Sequence, residues 1–166
     1  MISRAVVSRW VCGLAPLRCW FRREIIRAFG DKRVDYFVSG IGTGGHITGI
    51  GETLKSAWPA VRVMGVEPEE CDLLSDRHAP HHIQGLSIGL IPSILNVAII
   101  DGMLKVSRQE CLDMIKRIMR TDAISLGLSS AANMVAIAKL APELRTDTVV
   151  LTMVYDSADS YLPCFE

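Results

Sequence analysis

The sequence lacks an excess of charge of either sign, a long apolar run and any closely spaced pair of cysteines. Its 166 residues carry 18 basic and 18 acidic side chains, so a basic surface for nucleic acid is not indicated. No stretch approaches the roughly 18 uncharged apolar residues that a membrane-spanning helix needs. We therefore expect no nucleic-acid partner and no membrane. With 49% apolar residues, the chain can still bury the core of one domain.

The five cysteines lie far apart and include no C-x-x-C pair. A disulfide framework and the usual zinc and redox spacings are therefore not indicated. We interpret the cysteines as small buried apolar side chains of a protein in a reducing, cytoplasmic compartment. They are Cys12, Cys19, Cys71, Cys111 and Cys164.

Residues 1–23 differ in composition from the rest of the chain. They contain five arginines and no acidic residue, and the first acid is Glu24. Two interpretations stay open. The segment is either a tail that does not pack or an Arg-rich mitochondrial presequence, which would make the predicted location mitochondrial rather than cytoplasmic. We therefore divide the chain into an unmatched segment, 1–23, and a domain, 24–166.

Predicted strands alternate with predicted helices from Glu24 onward. The strands are Val34–Val38, Val61–Glu67, one within Val97–Val106, Ile124–Leu128 and Thr148–Val154. The helices are Glu24–Gly30, His46–Trp58, Arg108–Arg120 with a Ser107–Glu110 capping box, and Ala131–Leu140 capped by Ser129 and Ser130. This alternation predicts an α/β fold, three-layered, with a largely parallel sheet. The polar segment Glu69–Pro92 is predicted to be a long functional loop.

A glycine-rich segment, Ser39–Gly49, joins the first strand of this sheet to a helix. Glycines let the backbone approach an anion closely, and the N-terminus of the helix adds free N–H groups and a favourable dipole. The segment therefore predicts a phosphate site at the carboxyl ends of the strands. The loops at Ser129–Ala131 and Tyr155–Ala158 are expected to converge there.

The same glycines also fit a dinucleotide-binding fingerprint. Gly40, Gly42 and Gly45 have the G-x-G-x-x-G spacing. Glu67 ends the next predicted strand, where an acid would bind a ribose. From the residues alone, a Rossmann-type nucleotide binder is one hypothesis.

The wider sequence resembles the cysteine synthases (O-acetylserine sulfhydrylases) and their cystathionine β-synthase relatives, pyridoxal-phosphate enzymes of the tryptophan-synthase-β fold type. The matching segments, in order, are Val34–Gly49, Val63–Pro68, Pro80–Pro92, Gly127–Ala131 and Asp156–Tyr161. They cover the C-terminal half of a family chain. The resemblance implies a partial domain of that fold (PLP fold type II). It also implies cysteine biosynthesis from O-acetylserine and sulfide by β-replacement, a transferase or lyase reaction on an amino-acid substrate.

The resemblance also implies which residues would hold pyridoxal 5′-phosphate. The phosphate-binding positions are Gly42, Thr43, Gly44, Gly45 and His46, and Ser129 matches the serine that meets the pyridine nitrogen. Gln84 and Gly85 match a loop on the substrate side. The family has threonine where this chain has His46, so a water-facing His46 stays open as an alternative. Ser129 acting only as a helix cap also stays open.

The resemblance does not extend to the Schiff-base lysine, which in the family precedes the glycine loop. None of the five lysines matches a catalytic position: they are Lys32, Lys55, Lys105, Lys116 and Lys139. Without an activated lysine, there is neither a covalent anchor for the cofactor nor a base for the α-proton. We therefore predict no catalytic residue and a fragment that is inactive alone. A complementing N-terminal half or a homo-oligomer is the expected partner. The alternative is a non-catalytic module that binds a phosphate ligand or a partner.

Two further expectations concern the long loop. His78, His81 and His82 form no recognised zinc spacing and have no neighbouring cysteine in the sequence, so no metal site is predicted. An exposed apolar patch that favours self-association is predicted. It comprises Leu86, Ile88, Leu90 and Ile91, with Trp10, Trp20 and Phe21 adding further apolar surface.

Overall fold

The sheet of this protein is entirely parallel. The computed structural model describes residues 6–9, 25, 27–29 and 32–157. The strands are β1 (Val6–Arg9), β2 (Tyr36–Gly40), β3 (Arg62–Pro68), β4 (Gly102–Val106) and β5 (Val150–Val154). They lie in the order β1-β5-β2-β3-β4, and each neighbouring pair is parallel.

Helices follow β2 and β4, as the alternating pattern predicts, whereas β3 and β4 are joined by the long loop, which contains two 3₁₀ turns, Leu73–Ser75 and Val97–Ile99. In the described part of the chain the helices are α1 (Gly45–Ala57), α2 (Arg108–Asp122) and α3 (Leu128–Leu140), with residues 25 and 27–29 also helical. The predicted capping box begins α2: Ser107 Oγ accepts from Glu110 N at 3.3 Å, and Glu110 Oε2 accepts from Ser107 N at 2.8 Å. No described helix has both the length and the hydropathy that crossing a bilayer requires.

Apolar side chains on both faces of the sheet produce three layers. Neighbouring residues of a strand point to opposite faces. Phe37 accordingly packs with Ile47 of α1, whereas Val38 packs on the other side with Ile115 of α2 and Ala132 of α3. All five residues of β5 are buried, as expected for a strand covered on both faces. The predicted α/β class is therefore confirmed.

Two predictions for the segment before α3 are wrong. Residues 123–127 form no strand. Ala123 has φ 54°, which turns the chain at the end of α2, and Gly127 N donates to Asp156 O at 3.0 Å, so the segment runs toward the residues after β5. Helix α3 begins at Leu128 with Gly127 as its N-cap. Ser129 and Ser130 lie inside its first turn and do not cap it.

Strand β1 corrects the expectation that residues 1–23 do not pack. Val6–Arg9 pairs in parallel with β5, from Leu151 to Val154. Without β1, β5 would be an edge strand with unpaired backbone groups, so the added strand satisfies that edge. The expectations for Trp10, Trp20 and Phe21 lie outside the described residues.

Candidate functional site

A cavity of about 460 Å³ lies at the carboxyl ends of β2 and β5. Its lining residues are Gly40, Gly42, Thr43, Gly44, His46, Ile47, Gln84, Gly85, Leu86, Ser129, Tyr155 and Asp156. The three loops expected to converge do meet here, although Ala158 lies outside the described residues. Of the predicted site residues, Gly45 begins α1 and does not line the cavity, while all the others do. Tyr155 and Asp156 line it too; the sequence predicts both in the loop after the last strand, and Asp156 begins the matching segment Asp156–Tyr161.

The loop between β2 and α1 has the backbone of an anion site. Gly44 is the N-cap of α1 and has φ +82°. Within the described residues, no side chain caps this helix, which leaves its first-turn N–H groups available to a ligand. The helix dipole places partial positive charge at the same point. Thr43 adds a hydroxyl that can donate one more hydrogen bond.

Two glycines of this loop are held against other parts of the cavity wall. A Cβ at Gly42 would collide with the carbonyl oxygen of Gly85, and a Cβ at Gly44 would lie 2.8 Å from Leu95 Cβ. Ser87 N also donates to Ile41 O at 2.8 Å, so the glycine loop and the facing loop are joined through backbone atoms. Both glycine positions therefore exclude larger residues for steric reasons.

The first turn of α3 provides two serines with different partners. Ser130 Oγ accepts from Tyr155 N at 2.9 Å and fixes the segment after β5. Ser129 is 7% exposed and lines the cavity. Its hydroxyl has no hydrogen-bond partner among the described residues. Since Ser129 does not cap α3, its hydroxyl is available to a bound molecule.

The rings of His46 and Tyr155 contact each other at the edge of the cavity, with centroids 5.9 Å apart. Tyr155 Oη and Ser39 Oγ are 3.0 Å apart and hydrogen bonded. Burial lowers the pKa of His46 and raises the pKa of Tyr155, because desolvation disfavours each charged form. His46 is thus a half-buried wall residue that favours its neutral form, which does not fit the water-facing alternative.

Glu67 does not face this cavity. It is 1% exposed, and its Oε2 accepts from Leu73 N at 2.8 Å, while Lys105 Nζ lies 3.8 Å from Oε1. The carboxylate therefore anchors the start of the long loop after β3. A ribose at the glycine loop would not reach it, which removes the second element of the Rossmann hypothesis.

We predict that Glu67→Gln removes one contribution by which stability falls as pH rises. Burial raises the pKa of Glu67 because the charged form loses hydration. This effect outweighs the hydrogen bond from Leu73 N and the charge of Lys105, which both lower the pKa. The folded state therefore binds the Glu67 proton more tightly than the unfolded state. The contribution of Glu67 to the stability of wild type should therefore be lost as pH rises. The loss begins near the unfolded-state pKa of about 4.3 and continues through the higher folded-state pKa. Urea unfolding between about pH 4 and pH 8 measures the slope.

Glu110→Gln is the matched control for that measurement. Burial opposes ionisation of Glu110, but hydrogen bonds from Lys139 and Ser107 outweigh it and lower its pKa. Wild type should therefore gain stability from Glu110 as pH rises, so the two variants change the slope in opposite directions. Identical slopes for wild type and Glu67→Gln would contradict the assignment.

The lysines lie away from the cavity. All five are among the described residues, and none of them lines it. Lys55 pairs with Asp101 at 2.7 Å, and Lys139 pairs with Glu110 at 2.7 Å. Among the described residues, the geometry thus provides an anion cradle and a free serine hydroxyl, with no lysine beside them.

The family model described as pyridoxal-phosphate dependent enzyme matches residues 19–156. Cysteine synthase from Staphylococcus aureus is 35% identical over 140 residues, which are 84% of this chain and 45% of that protein. Cysteine synthase B from Campylobacter jejuni is 41% identical over 140 residues, again 84% of this chain and 46% of the relative. The crystal structure of O-ureido-L-serine synthase has a TM-score of 0.83 and 33% identity, and the match covers 88% of this chain and 46% of that one.

These matches confirm the predicted fold, a partial tryptophan-synthase-β-like domain, and indicate pyridoxal phosphate as the cofactor. They do not support a nucleotide-binding domain. The chain spans less than half the length of the relatives that it matches. On the strength of the family match and of the fold that it shares, the chain belongs to the pyridoxal-phosphate-dependent enzymes and is similar to their cysteine synthases.

Proposed function

We propose that this chain binds pyridoxal phosphate and forms the phosphate-binding and ring-binding half of a cysteine-synthase-like enzyme. One observation carries the proposal. Among the described residues, nothing caps the N-terminus of α1 or pairs with the hydroxyl of Ser129, and both lie at the same cavity of about 460 Å³. An anion cradle at one end and a single neutral hydroxyl at the other suit a phosphorylated aromatic ring.

The chain's own residues divide the binding work. The backbone of residues 42–46 and the hydroxyl of Thr43 would hold the phosphate. Ser129 would meet the ring nitrogen with a neutral group, which leaves that nitrogen largely unprotonated. When bound, pyridoxal phosphate supplies the electron sink for chemistry at the β-carbon of an amino acid. Gln84 and Gly85, on the facing wall, would contact the amino-acid substrate.

The proposed overall reaction is the formation of cysteine from O-acetylserine and sulfide, in keeping with the cysteine synthases that the chain is similar to. No lysine of this chain lies at the cavity, and the ring of His46 packs against that of Tyr155. We therefore propose that a complementing N-terminal half supplies the lysine, or that the chain works as a non-catalytic binder of the phosphate ligand. A cytoplasmic location remains our proposal, and the comparisons give the mitochondrial alternative no support.

We predict that the chain binds pyridoxal phosphate without forming a stoichiometric covalent adduct. Absorbance titration measures binding, with inorganic phosphate as competitor. Borohydride reduction and peptide mass mapping then locate any modified lysine. Scattered low labelling is expected, because exposed lysines such as Lys116 react weakly with any aldehyde. Labelling that phosphate does not suppress would identify these surface reactions.

Two outcomes would contradict the proposal. A single stoichiometric adduct on one of the five lysines would show that the chain carries its own anchor. A failure to bind pyridoxal phosphate at all would remove the binding role itself. If binding occurs, adding a separately expressed N-terminal half of a similar cysteine synthase distinguishes the remaining alternatives. Cysteine formation by the mixture favours the half-enzyme, and its absence favours the non-catalytic binder.

A further inference from the structure

We propose that Cys71, His78 and His81 form a zinc site in the loop between β3 and β4, separate from the cavity. The ligand atoms of these three side chains all lie within 4.8 Å of one another. A thiolate and imidazoles are the donors that zinc prefers in proteins. We expected no metal site because the histidines have no cysteine beside them in the sequence. The fold brings one to them.

The distances approach those of a zinc ligand set. Cys71 Sγ and His78 Nδ1 are 3.7 Å apart. Around a tetrahedral ion with Zn–S of about 2.3 Å and Zn–N of about 2.0 Å, sulfur and nitrogen are separated by about 3.5 Å. The rings of His78 and His81 lie edge to face with centroids 5.7 Å apart. Small side-chain rotations therefore bring all three ligands to one ion.

A local hairpin creates this juxtaposition. Asp72 and Arg77 form an isolated antiparallel bridge, in which Asp72 N donates to Arg77 O at 2.7 Å and Arg77 N donates to Asp72 O at 2.9 Å. The next residues outward, Cys71 and His78, therefore face each other. Since the bridge is made by backbone atoms, the two ligands are pre-positioned without a metal.

His81 is the adjustable ligand. One of its ring nitrogens, Nδ1, accepts from Ile83 N at 3.3 Å, and the other lies 3.1 Å from Ser87 O. If one ring nitrogen binds zinc, its hydrogen bond is lost. The hydrogen bond of the other nitrogen remains and orients the ring. Three protein ligands leave the fourth position of a tetrahedral ion to water. His78 is exposed, so the ion has a path from solvent.

The charges nearby are compatible with a divalent ion. The carboxylates of Glu67 and Asp72 lie within 4.0 Å of Lys105 Nζ, and the same ammonium donates to Cys71 O at 2.9 Å. Arg77, 3.7 Å from Asp72, and Lys105 balance these two acids, so the thiolate of a zinc-bound Cys71 adds the net negative charge. Zinc would compensate that thiolate and would also fix the loop whose continuation, Gln84–Leu86, lines the cavity.

The test is titration of the full, metal-free chain with Zn²⁺ and, as a spectroscopic probe, Co²⁺. We expect one ion per chain, a thiolate-to-cobalt charge-transfer band, and a higher midpoint of thermal unfolding with Zn²⁺. Cys71→Ser should abolish the band. His78→Asn should weaken zinc binding by about 10- to 100-fold or more. Loss of a residue that only orients a metal ligand already has an effect of that size.

His82→Asn is the matched control, because His82 is exposed, belongs to the same loop and lies outside the cluster. It should bind like wild type. Since Cys71 is buried, His78→Asn at an exposed position carries the test if Cys71→Ser does not fold, which circular dichroism reveals. No stoichiometric binding by wild type, unchanged binding by His78→Asn, or equal loss in His82→Asn would each overturn the proposal.

Discussion

Gly44→Val is expected to abolish binding of pyridoxal phosphate and of inorganic phosphate. Gly44 has φ +82°, a conformation that costs an L-residue about 1–2 kcal/mol and a β-branched residue more. Its added Cβ would also lie 2.8 Å from Leu95 Cβ and 3.1 Å from Leu95 Cα. The loop would have to move, and the first-turn amides of α1 would move with it. Titration of the variant against wild type, with circular dichroism to verify folding, measures the effect.

Two further variants make the result specific to the loop. Gly49→Ala lies on the same helix, and its added Cβ meets no atom within 4 Å, so binding should be unchanged. Thr43→Val keeps the volume but removes the hydroxyl, which should weaken binding by roughly 3- to 10-fold, or about 0.5–1.5 kcal/mol. Equal affinity in Gly44→Val and wild type would show that phosphate binds elsewhere.

The isolated chain is expected to self-associate through an exposed apolar segment of the long loop. Ile88, Leu90 and Ile94 are 50%, 55% and 60% exposed, and Ile91 is 40% exposed. Contiguous apolar surface of this kind marks an interface or causes aggregation. One expected member, Leu86, is instead only 4% exposed and packs against Gly40 in the cavity wall. The patch therefore begins two residues later than the sequence predicts.

Light scattering coupled to size-exclusion chromatography measures this association. Changing Ile88, Leu90 and Ile94 together to Gln should raise the dissociation constant at least tenfold, because each buried side chain contributes about 1.5–3 kcal/mol. Met119→Gln is the control, since Met119 is 47% exposed but lies on α2. A monomer at every concentration would contradict the half-enzyme proposal and favour a self-sufficient binding module.

Local signals predicted the elements well. The β-branched run at Val61–Glu67 gave a strand that is displaced by one residue, and Ser107 with Glu110 gave a complete capping box. The glycine segment led directly to the loop that lines the cavity. Each of these depends on residues that are neighbours in the chain. Whether the residues at the cavity bind the cofactor as the resemblance implies remains a prediction.

Features that depend on distant contacts could not be predicted. Ile124–Leu128 has the composition of a strand, but Leu126 is buried by packing, and none of the described strands pairs with the segment. The arginine-rich composition of residues 1–23 does not indicate that Val6–Arg9 pairs with β5. Cys71 meets His78 only because a backbone bridge folds the intervening loop. In the first two cases the deciding partner is far away in the sequence, whereas in the third the conformation of a short loop decides, and no residue pattern marks that conformation.

The contact between Gly42 and Gly85 makes the width of the cavity a property of the main chain. The Ser87 amide, donated to Ile41 O, links the same two loops. If the loops separate, this amide is released to solvent, so its hydrogen exchange rate reports opening of the cavity. Substitution of side chains that line the cavity can then change which ligand binds best without changing the distance between the two loops. On this frame, ligand preference and cavity width are therefore set by different parts of the chain, the side chains and the backbone.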